Sequence, residues 1–252
     1  MELFEADYLL LFVISLAVIG SAIVKTGVGV GAGIFLLPLL SLVLPPKTAL
    51  GIGAPAMLIS DIVGLKLYWK EWNSREALLI VPPSVIGVAV GVVLVKFIPS
   101  TIFRYWIGAF AVSFVLHNLI SKVWKISITI PENWRLGRRS GIIFGFAGGF
   151  VSAVSHAGGA VLSVYLLTRK LEKRIFVGLF ILFFVITNVA KTVGYVRIGI
   201  LTVDLVLMVF VLSPLIVLGS LLGNHLNKKL SQEMFRTLVL VIILITGVKL
   251  LY

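Results

Sequence analysis

Apolar stretches about as long as a bilayer is thick follow one another along the chain, separated by short polar breaks. A helix crossing the hydrocarbon core needs about 20 apolar residues. Runs bounded by charged or turn-forming residues fall at roughly 8–24, 30–45, 49–69, 77–97 and 104–120, and again at roughly 140–155, 157–167, 175–195, 202–224 and 237–251. Two segments in each half are short or broken by glycine, around Gly27–Gly33 and around His156–Ala160. The pattern therefore predicts an all-α polytopic membrane protein with eight to ten membrane segments.

The pattern also repeats. At an offset of 127 residues, Gly31, Leu39, Leu40, Gly51 and Tyr68 meet Gly158, Leu166, Leu167, Gly178 and Tyr195, and Asp61 meets Asn188. At an offset of 132, Pro82, Gly87, Gly91, Lys96, Phe103 and Arg104 meet Pro214, Gly219, Gly223, Lys228, Phe235 and Arg236. A period of half the chain indicates a duplicated bundle rather than a solenoid. The expected domains are an N-terminal transmembrane repeat over 1–120, a cytoplasmic linker over 121–139 and a C-terminal transmembrane repeat over 140–252.

Composition agrees: 60% of the residues are hydrophobic, 13% are charged and the mean hydropathy is +1.14, too little polar surface for a soluble domain of 252 residues. The chain has no Cys, so disulfides and thiolate metal sites are excluded. Residues 1–7 carry three acids and no base, unlike a signal peptide, so the first segment is expected to stay as an anchor.

Charge orients the segments, because cytoplasmic loops collect Lys and Arg. If each broken pair crosses twice, or dips in and returns, the loops 70–76, 121–139, 168–174 and 225–236 share one side and hold 14 Lys and Arg, against 5 on the other. A single crossing per pair would even out these counts. Each half then has an odd number of effective segments. The two repeats are expected to have inverted topology, with both termini outside and the glycine-broken hairpins at the centre.

Three basic residues, Lys25, Lys66 and Lys191, remain inside apolar segments. Ionisable groups at membrane depth are costly and usually face a partner or a polar cavity, although Lys66, near the end of its segment, can snorkel to the headgroups. Lys25 precedes a run with glycine at Gly27, Gly29, Gly31 and Gly33. Each glycine costs about 1 kcal/mol in a helix relative to Ala, so an unwound turn is expected there. Ser155-His156-Ala157-Gly158-Gly159 stands at the matching point of the second half. Broken segments in matching positions point to a transport site. A helix resuming after each break offers unpaired N–H groups and a positive dipole end, which favour an anion. The competing reading is that the glycines only permit close helix contact, which is expected at Gly87/Gly91 and Gly219/Gly223.

Other chemistry is poorly supported. Gly27–Gly33 does not fit G-x-G-x-x-G and follows no strand. His156 has no neighbouring His or carboxylate in sequence, so no metal or cofactor is expected, and the isolated carboxylates Asp61 and Asp204 do not make a hydrolase. The positive-inside bias explains the basic loops without nucleic acid.

Taken in order, the break Gly29-Val30-Gly31-Ala32-Gly33 leading to Pro38, its weaker copy Ser155–Ala160, and Asn188-Val189-Ala190-Lys191 resemble the TauE/SafE family of sulfite and organosulfonate transporters over the whole chain. The resemblance implies movement of sulfite, sulfoacetate, taurine or another sulfonate across the cytoplasmic (inner) membrane, often as export. On this reading the substrate-binding residues are Lys25, Gly27, Gly29, Gly31, Gly33, Ser155, His156, Gly158, Gly159, Asn188, Lys191 and Tyr195. Asp61, Lys66 and His156 are candidates for coupling to protons. Asp61 replaces the second Asn and Gly64 stands where Lys191 would have its counterpart, so the two halves of the site are chemically unequal. The expected mechanism is alternating access, with a passive anion channel as the alternative. The expected partners are the small anion, the lipid bilayer and, where the chain self-associates, further copies of itself.

Overall fold

The computed structural model describes residues 8–28, 32–123, 136–229 and 232–252. Among these the chain is all helix. In order the helices are α1 (Tyr8–Val28), α2 (Ala32–Leu40), α3 (Pro46–Leu67), α4 (Ser74–Phe97), α5 (Ser100–Val123), α6 (Ser140–Ser155), α7 (Gly158–Thr168), α8 (Lys173–Arg197), α9 (Val203–Val211), α10 (Ser213–Lys229) and α11 (Gln232–Leu251). Four are long and apolar enough to cross a membrane as Pro46–Lys66, Ser74–Phe97, Ser100–Ser121 and Lys173–Arg197; Val203–Val211 with Ser213–Gly223 makes a fifth, bent span. The apolar surface has the character of lipid contact: Ile143, Phe210 and Val211 are all more than 60% exposed, which water would penalise and hydrocarbon does not. This is a multi-pass integral membrane protein.

Local chemistry sets the helix ends. Asn73 caps α4, its side chain accepting from the N–H of Arg75 at 3.0 Å and of Glu76 at 3.2 Å. Pro46 opens α3, where a missing N–H costs nothing. Hydropathy predicts one continuous segment over 202–224, but the chain breaks between α9 and α10 with a bend of 49°. Pro214, the second residue of α10, brings no N–H to the helical ladder at this point. Pro82 and Pro83 at the equivalent place leave α4 continuous.

α3 and α8 begin 127 residues apart, at Pro46 and Lys173. α4 and α10 end 132 apart, at Phe97 and Lys229. α4 lies mainly on α6 and α10 mainly on α1. Both contacts are made through glycine. A Cβ on Gly87 would strike the Phe146 carbonyl, one on Gly149 the Ser84 carbonyl, and one on Gly219 or Gly223 the backbone of Ile19 or Ile23. Helices in lipid gain little from hydrophobic burial against each other, so close backbone approach supplies the attraction. Gly87/Gly91 and Gly219/Gly223 are contact sites, as their spacing predicts, and Gly145/Gly149 serves the same end.

Polar contacts join described residues of the basic segments to their neighbours. Buried Glu76 accepts from the Tyr165 hydroxyl at 2.7 Å and from Arg169 at 2.8 Å, with Arg138 3.6 Å away. Glu71 pairs with Arg174 at 2.9 Å, and Arg236 bonds Asn118 near the end of α5. At the opposite end Lys47 donates to the Lys96 carbonyl at 3.0 Å.

Two substitutions test this packing by thermal unfolding of the detergent-purified protein. Gly149→Leu should cost about 3 kcal/mol or more, the upper range for overpacking, whereas Gly137→Leu, with open space around it, should leave the midpoint unchanged. Glu76→Ala should cost about 3 kcal/mol, because removing one partner strands Arg169 and Tyr165; an unchanged midpoint would show that the network contributes nothing to stability.

Candidate functional site

Two short helices double back on the helices before them. α7 returns along α6, with Gly158 against the Gly148 carbonyl and Ser152, and α2 returns along α1, with the Phe35 ring against Gly20. The turn after α6 is made by His156, in the left-handed region at φ 56°. That conformation is uncommon for a residue with a Cβ and is found at turns and functional sites. This turn packs on the start of α2: a Cβ on Gly33 would collide with the Cβ and the carbonyl of His156.

The His156 ring fills the junction. Its Nε2 lies 3.1 Å from the Leu50 carbonyl and its Nδ1 2.8 Å from Lys191 Nζ. A carbonyl requires a donor and an ammonium requires an acceptor, so these partners assign the proton to Nε2 and leave Nδ1 to accept from Lys191. Lys191 also donates to the Ser152 carbonyl at 3.4 Å. It is 1% exposed, and among the described residues no carboxylate lies within ion-pairing distance of it.

A second charged group adjoins it. Lys25 Nζ pairs with Asp61 Oδ1 at 2.6 Å, donates to the Met57 carbonyl at 3.0 Å and stands 5.5 Å from the Phe184 ring centre. The other oxygen of Asp61 accepts from Asn188 Nδ2 at 2.6 Å. Asp61 and Asn188, which the internal repeat equates, thus touch across the α3–α8 contact. Pairing and hydrogen bonding offset the cost of burying this carboxylate; it is 3% exposed.

These groups surround a small cavity of about 20 Å³, about the space of one water molecule. Ala32, Gly33 and Ile34 in the first turn of α2 line it on one side, Ala157, Gly159 and Ala160 at the start of α7 on another, and Lys25, Met57, Ser152, His156, Phe184, Asn188 and Lys191 complete it. Two helix N-termini, each with positive dipole character, therefore converge on one spot beside two lysines.

Lys25, Gly33, His156, Gly159, Asn188 and Lys191 of the expected site are gathered here, together with Asp61. Gly27 lies in the last turn of α1, and Gly29 and Gly31 fall outside the described residues. Gly158 packs on α6. The Ser155 hydroxyl is spent on the Val151 carbonyl in its own helix, and the Tyr195 hydroxyl donates to the Ala153 carbonyl at 2.5 Å. Tyr195 is a packing residue between α8 and α6. Lys66 stands apart, exposed in the last turn of α3. Sequence reasoning missed Ser152, Met57 and Leu50, which act through main-chain carbonyls and leave no side-chain signature, and Phe184, one of several Phe on an apolar helix. It also passed over Glu76, whose signal was an acid beside the most basic loops.

The Sulfite exporter TauE/SafE family matches residues 13–250. Probable membrane transporter protein YjnA of Bacillus subtilis (strain 168) is 22% identical over 254 positions, covering 92% of this chain and 96% of that protein. No solved structure gives a significant match. With the family's match running from α1 to α11 and enclosing the whole cluster, the chain belongs to the TauE/SafE family of membrane transporters.

Proposed function

We propose that this protein is a secondary transporter that moves a small sulfur-containing anion, such as sulfite or an organosulfonate, across the cytoplasmic membrane by alternating access. The observation that carries this reading is the convergence of the first turns of α2 and α7 with Lys191 on one buried cavity. Lys25 is neutralised by Asp61, so the positive charge left over in the site is that of Lys191 together with the two helix dipoles. An anion is the complementary ligand. The family's description names sulfite export, and the Bacillus relative is named a probable membrane transporter.

The architecture behind it is a pair of inverted repeats, α1–α5 and α6–α11, whose broken hairpins enter from opposite faces. The shared offsets of helix ends, the matching α4–α6 and α10–α1 contacts, and the Asp61–Asn188 bond between equivalent positions all support this. The basic end of the bundle is then cytoplasmic. A cavity of about 20 Å³ does not form an open pore. It fits an occluded state in which the hairpin tips must part, towards one face and then the other, to admit and release the anion. Protonation of Asp61 would loosen its hold on Lys25 and give the lysine to the anion, which offers a route for proton coupling through Asp61 and His156.

Transport of sulfite or a sulfonate into proteoliposomes should be saturable in the wild type and lost in Lys191→Ala, with the melting temperature of the variant close to normal; unchanged uptake would remove Lys191 from the site. Topology is testable because the chain has no Cys of its own. Gly137→Cys should react with an impermeant thiol reagent only from the cytoplasmic side and Gly199→Cys only from the other; labelling of both from one side would overturn the inverted arrangement.

A further inference from the structure

The acceptor atom that the cluster leaves unused points to a property of the ligand. Asp61 fixes the orientation of the Asn188 amide: one carboxylate oxygen is held by Lys25 and the other takes a hydrogen bond from Asn188 Nδ2. The amide oxygen is therefore turned away from Asp61. Asn188 is 1% exposed, it lines the cavity, and its Oδ1 is buried without a hydrogen-bond partner among the described residues. Lys191, the neighbouring cation one turn along α8, is engaged by His156 and Ser152. Buried acceptors are nearly always satisfied, and each exception calls for a reason. In a transport site the reason is a donor that arrives with the cargo.

We infer that Asn188 is a specificity-determining residue that selects anions carrying a hydrogen-bond donor of their own, a hydroxyl- or ammonium-bearing sulfonate or a protonated oxyanion such as hydrogensulfite. The inference rests on the anion-transport reading above and deepens it. The oxyanion end lies against Lys191 and the N–H groups that open α2 and α7, and the donor meets Asn188 Oδ1. A sulfonate ending in a methyl group leaves that oxygen unpaired. One ending in a carboxylate, as sulfoacetate does, sets acceptor against acceptor. Sites built to hydrogen-bond a hydroxyl reject analogues lacking it far more strongly than apolar pockets reject a missing methylene.

The test compares two ligands of equal size, 2-hydroxyethanesulfonate and propane-1-sulfonate, in competition binding to the full-length protein in nanodiscs. The wild type should bind the hydroxylated ligand at least tenfold more tightly. In Asn188→Leu, and in Asn188→Ala if the leucine variant does not fold, that preference should disappear while propane-1-sulfonate still binds. Equal affinities in the wild type would overturn the inference and leave the anion site standing. A preference that survives in the Asn188 variants would take the role away from this residue. Binding of neither sulfonate to the wild type would sink the sulfonate reading and this inference with it.

Discussion

Backbone that leaves the helical ladder at membrane depth has to be covered by protein, since lipid offers its N–H and C=O groups no partner. This chain meets that demand by packing the turn after α6 against the first turn of α2. The end of α6 is closed by His156 in a left-handed turn, the start of α2 contributes Gly33, and the two are in backbone contact. The helices around them follow from this requirement. Glycines on α4, α6 and α10 let neighbours approach to backbone distance, so that the hairpins are held against long partner helices instead of facing lipid.

The same junction collects the polar groups that lipid would reject. Lys25, Asp61 and Asn188 satisfy one another, and Lys191 turns to His156 and a carbonyl. Burying several ionisable groups is worthwhile only when they are paired or when they await a ligand. Here Lys25 and Asp61 are paired, Lys191 has hydrogen bonds but no carboxylate beside it, and the Asn188 amide oxygen has no hydrogen-bond partner among the described residues.

At the basic end, Glu76 gathers Tyr165, Arg169 and Arg138, joining the start of α4, the end of α7 and the segment leading into α6. Charge thus clasps this end through groups from three parts of the chain.

Much of this was legible in the chain itself. Hydropathy located nearly every helix, because a segment in lipid has to be apolar over its whole length, and the offsets of 127 and 132 reappear in the helix ends. Lys25, Gly33, His156, Asn188 and Lys191 could be singled out because charge and glycine are conspicuous in such surroundings. The bend at Leu212 was not legible: Pro82–Pro83 and Pro214 look alike in sequence, yet only the second half breaks. Nor could the sequence show that Lys25 reaches Asp61, that the Ser155 and Tyr195 hydroxyls bond main-chain carbonyls, or that the Asn188 amide oxygen has no hydrogen-bond partner among the described residues. Hydrophobicity and backbone propensity are local properties that each residue carries with it. Which donor meets which acceptor depends on residues far apart in sequence, such as Asp61 and Asn188, and was decided only when the two halves closed on each other.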